Sequence, residues 1–186
     1  MITKEQALTI LENKDLEKGL NAYLSIKRLC RETDVSCDRD FWRIYRAFYR
    51  MRRNDEFAEK YFAILQKYKN ESETSFEKVF YEIYSVTDRC EVSFASKLLN
   101  LLDERAPIWD SVVATKVFGY KLPYTYVKNR DVLCVRQYEL YKAAFLDYVS
   151  SPEGKMLIDL FTSRFPDADI SDVKKVDFIL WKSAAL

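Results

Sequence analysis

The residues best placed to do chemistry are one carboxylate, one lysine and a row of arginines. Asp110 stands in Ala106-Pro-Ile-Trp-Asp-Ser-Val-Val113, immediately before a helical pattern. A carboxylate there faces the positive end of a helix dipole and can accept the free amides of the first turn. The position suits a plain N-cap, and it also suits an acid held ready for chemistry. Both readings stay open. Trp109 beside it either fills the core or walls a pocket for a planar ring. Upstream, Ser93-Phe-Ala-Ser-Lys97-Leu-Leu-Asn-Leu-Leu102 reads as a helix carrying Lys97.

The arginines lie in Phe41-Trp-Arg-Ile-Tyr-Arg-Ala-Phe-Tyr-Arg-Met-Arg-Arg53. On a helix advancing about 100° per residue, Arg43, Arg46, Arg50 and Arg53 share an arc of about 80°. Four guanidiniums on one stripe can follow a phosphate backbone; the alternative is a solvated face paired to Glu56 or Glu59. Arg52 projects to the aromatic side and, if buried, needs a carboxylate such as Asp40, Asp110 or Asp177. The segment Tyr120-Lys121-Leu-Pro-Tyr124-Thr-Tyr126-Val-Lys128 either stacks on bases through Tyr124 or folds its rings back over the core. Lys174 and Lys175 read as an exposed pair.

What is missing narrows the chemistry. The 186 residues include no histidine, which excludes Ser-His and Cys-His nucleophiles and the commonest zinc ligand. Cys30, Cys37, Cys90 and Cys134 show no metal-binding spacing and read as reduced, mostly buried thiols. No metal and no cofactor is expected, since no Gly-rich phosphate loop occurs either. Lys and Arg total 30 against 29 Asp and Glu, so with a net charge of +1 any nucleic-acid surface must be a local patch. No run is long and apolar enough for a membrane span and no signal core opens the chain, so a cytoplasmic protein is expected.

The elements that must position these residues are helices. Apolar residues make up 48 % and aromatics 15 %, with 13 Tyr and 12 Phe, which promises a ring-built core. Only three Gly and four Pro occur, too few for many hairpins. Capping boxes at Thr3–Gln6 and Thr74–Glu77, Asp38 and Asn54 as caps, Ser151-Pro152, and a stop at Phe165-Pro166 punctuate apolar stripes of helical period. The Asp38 helix is expected to run to about Arg53, and Gly119 to close the helix after Asp110. The expectation is all-α: a compact multi-helix bundle of about ten helices, one domain over 1–186, with two-lobed packing allowed.

Residues 82–119 resemble the central region of the helix-hairpin-helix DNA glycosylase superfamily. Ala95 falls at that family's helix alanine, and Pro107-Ile-Trp-Asp110-Ser-Val-Val113 matches its Pro-x-x-Asp-(Thr/Ser)-x-Val loop. The resemblance implies a glycosylase-like fold in which Asp110 stabilises charge on the sugar as the base leaves. The chain departs from the family at the hairpin, where Val86-Thr-Asp-Arg-Cys-Glu91 has no glycine and carries two acids. It also lacks the family's nucleophilic lysine, whose register falls near Glu91 and Val92; Lys97 is expected to point elsewhere. Four further blocks, around residues 48–54, 93–99, 107–111 and 174–181, resemble a bacterial and phage group of uncharacterised helical proteins.

Three functions follow as expectations. The first is a DNA- or RNA-binding protein on a glycosylase-like scaffold without lyase chemistry, using Arg43, Arg46, Arg50, Arg53, Lys97 and Lys121. The second is a monofunctional glycosylase with Asp110 as the acid and a base pocket beside Trp109. The third is a protein-interaction module, whose arginines would be neutralised by the chain's own acids.

Overall fold

The computed structural model describes residues 2–71 and 73–183, and among them the chain is helical with no strand. The elements are α1 (Lys4–Leu11), α2 (Lys14–Glu32), α3 (Arg39–Phe48), α4 (Asp55–Lys69), α5 (Phe76–Thr87), α6 (Val92–Leu102), a π-helix (Val113–Val117), α7 (Arg130–Ser150), α8 (Pro152–Arg164) and α9 (Asp172–Ser183). Their starts follow side-chain chemistry. Thr3 and Gln6 form the reciprocal box that opens α1. Asn13, Asp38 and Asn54 each accept a first-turn amide of α2, α3 and α4. Ser151 caps α8, with Pro152 in its first turn. At α5 the cap is Ser75, one residue later than expected, because it is the Ser75 hydroxyl that accepts from the Lys78 amide.

The largest departure is at α3, which stops at Phe48. The Met51 amide donates to the Arg46 carbonyl at 2.9 Å and the Arg50 amide to the Ala47 carbonyl at 3.4 Å. Arg50 sits between them in left-handed backbone, with φ of 51°. This is a Schellman stop with arginine where glycine is usual. Asn54 already caps α4, so the chain has to reverse within residues 49–53. The apolar period runs through that reversal without a glycine or proline to mark it.

Rings fill the interior. Trp42 stacks on Phe62 at 4.9 Å, and Phe76 on Tyr138 at 3.6 Å. Several buried tyrosine hydroxyls find partners: those of Tyr45 and Tyr61 lie 2.6 Å apart, and Tyr61 donates to the Phe94 carbonyl at 2.9 Å. α9 is buried almost all round, with Val173, Val176, Phe178, Ile179 and Leu180 inward, which makes it a central element rather than a surface helix. Side chains from all nine α-helices join one buried cluster. No described helix is long and apolar enough to cross a membrane. Cys30 and Cys134 are buried, Cys90 is half-buried and Cys37 exposed, all four free; half of the thiols, rather than most, are buried.

Candidate functional site

The segment between α6 and the π-helix has no regular structure, so its backbone groups must be satisfied from outside. The Ser96 hydroxyl accepts from the Trp109 amide at 2.9 Å, and the Asn100 amide donates to the Ala106 carbonyl at 2.8 Å. From α7, the Tyr138 and Tyr141 hydroxyls donate to the Pro107 and Ile108 carbonyls, each at 3.0 Å. Glu104 ties the segment to the far side of the molecule. It accepts from Tyr23 at 2.8 Å and from the Ser171 amide at 2.9 Å, and pairs with Lys27 at 2.8 Å. Asp110 therefore leaves a rigid strap. Its Oδ1 accepts the Val112 and Val113 amides at 2.9 and 3.1 Å, while Oδ2 accepts from no donor among the described residues.

Asp110 opens onto a cavity of about 540 Å³, within the range of small-molecule sites. One wall is α9, which presents Lys174, Asp177, Phe178 and Trp181 at i, i+3, i+4 and i+7. The end of α3 supplies Phe48, Tyr49 and Arg50; α6 supplies Ser93 and Lys97. Lys174 and Asp177 form a buried ion pair at 2.8 Å, with the ammonium 4.5 Å from the Tyr23 ring centre. The Tyr49 hydroxyl is buried with no hydrogen-bond partner. Burial pushes its pKa well above the ordinary tyrosine value, and the charges of Asp177 and Glu104 push the same way. Lys97 donates to the Tyr49 carbonyl at 3.4 Å and has no carboxylate within 4.0 Å among the described residues. Burial lowers its pKa below the ordinary lysine value; Asp110 pulls it back up and Lys174 pushes it further down.

The expected residues divide. Asp110, Lys97 and Arg50 come together in this cavity, so Lys97 points toward Asp110's space and not elsewhere. Trp109 does not wall the cavity; it is 2 % exposed and packs edge-on to Tyr141 at 5.0 Å, because its amide is pinned to Ser96 inside the core. Tyr124 lines none of it either: its ring lies 72 % exposed on the loop after the π-helix, parallel to the 83 % exposed Tyr126. Those two rings do not fold back over the core. Lys121 is exposed on the same loop.

The arginine stripe does not form, since only Arg43 and Arg46 lie on α3. Arg43 pairs with Asp40 at 3.3 Å, Arg46 with Asp55 at 2.6 Å, and Arg53 with Glu91 at 2.5 Å. Arg52 is exposed and takes none of the three suggested carboxylates. Lys174, expected at the surface, is 2 % exposed, because Asp177 and two rings replace its water. Sequence reasoning missed the α9 wall. The signal available was the i, i+3, i+4, i+7 spacing from Lys174 to Trp181, which two charged residues disguised as a solvent face. Among the described residues no cluster of His, Cys, Asp and Glu could hold a metal.

The chain matches no protein-family model, no curated protein and no solved structure.

Proposed function

We propose that the protein binds nucleic acid by receiving a single extruded base in the Asp110 cavity, and that Asp110 acts on that nucleoside as a fixed anion. The observation that carries this reading is the meeting of Asp110, Lys97 and the Trp181, Phe178 and Phe48 rings around one space of about 540 Å³. Chemistry on a base requires it to leave the stack and enter a pocket with ring walls. As a glycosidic bond breaks, positive charge develops on the sugar, and a carboxylate whose position is fixed beforehand stabilises it without reorganising. The two amides on Oδ1 supply that fixing and leave Oδ2 free for the substrate. The resemblance of residues 107–113 to the glycosylase loop supports the same role.

Asp110→Asn tests the reading, since asparagine keeps the oxygen that caps the helix. Wild-type protein is expected to release a base from at least one of a panel of damaged or mismatched duplexes, with Asp110→Asn slower by about 10²-fold or more but still bound. Binding without release by either protein supports a nucleic-acid-binding role alone. No binding at low salt removes the reading and leaves a protein partner, which the neutralised Arg43, Arg46 and Arg53 also favour.

A lyase step is a second reading, favoured by one observation. Lys97 brings into the cavity an amine whose pKa is lowered by burial, the property a nucleophilic lysine needs. Its attack on the aldehyde of an abasic sugar would release water and leave an imine. Borohydride would trap that imine on wild-type protein and not on Lys97→Met.

A further inference from the structure

Arg50 is an anomaly of backbone, charge and place together. Three described non-glycine residues have positive φ: Arg50, Asp88 and Asn129. Asp and Asn tolerate left-handed backbone through local side-chain hydrogen bonds, whereas arginine gains nothing there. Non-glycine residues held in such a region concentrate at functional sites. The neighbouring Arg43, Arg46 and Arg53 are each paired with an acid, Arg53 sharing Glu91 with Arg89, but Arg50 has no carboxylate within 4.0 Å among the described residues. Its guanidinium lies over the Trp181 ring, 5.9 Å from the centre. It is the exposed cation among the residues lining the cavity, and so stands at its mouth.

The interior of the cavity has matching vacancies. Lys97 makes one long hydrogen bond, leaving ammonium donors unused. Lys174 is already neutralised by Asp177. What is unmet is therefore two cations set around aromatic walls, with Asp110 as the single unpaired acid. A neutral ring would answer the walls and leave Arg50 and Lys97 unanswered.

We infer that the cavity recognises a nucleoside together with a phosphate attached to it, and that Arg50, braced on Trp181, grips that phosphate at the mouth. This rests on the base-receiving reading and names what must accompany the base. A guanidinium matches two phosphate oxygens with a planar fork, and its pairing over an indole face holds the fork in place. A nucleotide's monoester and a strand's diester share this chemistry.

The test is quenching of Trp181 fluorescence, assigned by subtracting Trp181→Phe, since Trp42 and Trp109 are both buried. Titrants are the four deoxynucleosides, their 5′-monophosphates and the dinucleoside monophosphates, against wild type, Arg50→Gly and Arg50→Gln. Glycine suits the left-handed backbone, and glutamine keeps its strain while losing the charge, so a folding defect cannot mimic the result in both. A phosphate-bearing ligand is expected to bind about tenfold or more tighter than its nucleoside, a gap that both variants abolish without moving nucleoside affinity. Preference for the diester would assign a strand, and preference for the monoester a free nucleotide; either supports the inference. Equal binding of nucleoside and phosphate, or a gap that survives in both variants, overturns it and leaves the base cavity standing. No quenching by any titrant overturns both.

Discussion

Two lysines of the cavity are held on opposite terms, and the difference can be measured. Lys174 is 2 % exposed and neutralised by Asp177 at 2.8 Å. Removing one member of a buried pair strands the other charge, so Lys174→Met is expected to lower stability by about 3–5 kcal/mol. Lys97 has burial without a paired acid, and its folded pKa is accordingly depressed. Between that value and the unfolded value of about 10.4, the unfolded chain binds the extra proton, so stability rises with pH across this window. Lys97→Met removes a half-buried cation that has no paired acid. It is expected to be neutral or stabilising near neutral pH and to abolish the alkaline rise, in urea titrations taken from pH 7 to 10. A large loss of stability in Lys97→Met would mean that its ammonium has a partner in the folded state. The same contrast separates roles: Lys174 and Asp177 shape the wall, whereas Lys97 and Asp110 keep atoms free for a ligand.

Among the elements, the end of α3 bears most on the proposed function. Arg50 occupies the position after the C-cap where left-handed backbone favours glycine. Arg50→Gly is therefore expected to raise stability by about 1 kcal/mol, read as a higher urea midpoint, even as it costs the phosphate its grip. If the variant is less stable, the strain assigned to Arg50 is absent. Gly119, the C′ residue of the π-helix with φ of 75°, gives the opposite control: Gly119→Ala should lose about 1 kcal/mol. The sequence made Gly119, Asn54, Asp38 and Ser151 readable because each sits where one residue type has a local geometric reason to be. It concealed the stop at Phe48, because a Schellman turn built on arginine breaks that local rule. It concealed the cavity for a related reason. Asp110 and Lys97 are thirteen residues apart and visible as candidates, but the α9 wall reaches them by tertiary packing, of which the Glu104–Ser171 tie, a contact between residues 67 apart, is one part. Trp109 had the residue type of a pocket wall, and only tertiary packing decides that Trp181 lines the cavity and Trp109 does not.

For the whole molecule, the decisive property is the set of tyrosines buried among the aliphatic residues of the core. Tyr23, Tyr45, Tyr49, Tyr61, Tyr138 and Tyr141 are all buried, and burial is the largest cause raising the pKa of every one. In the unfolded chain each ionises near pH 10. Below that pH the two states hold the same protons and these groups leave stability unchanged. Above it the unfolded chain has released protons that the native state still keeps, so each tyrosine lowers stability by about 1.4 kcal/mol per pH unit. Six acting together give a slope of about 8 kcal/mol per unit, against a total stability that for a domain is about 5–15 kcal/mol. Alkaline unfolding should therefore be complete within about one to two units above pH 10. It should appear as one transition, with tyrosinate absorbance and loss of helical circular dichroism rising together. A gradual tyrosinate curve spread over several pH units with helix intact would show that water reaches these hydroxyls in the folded state.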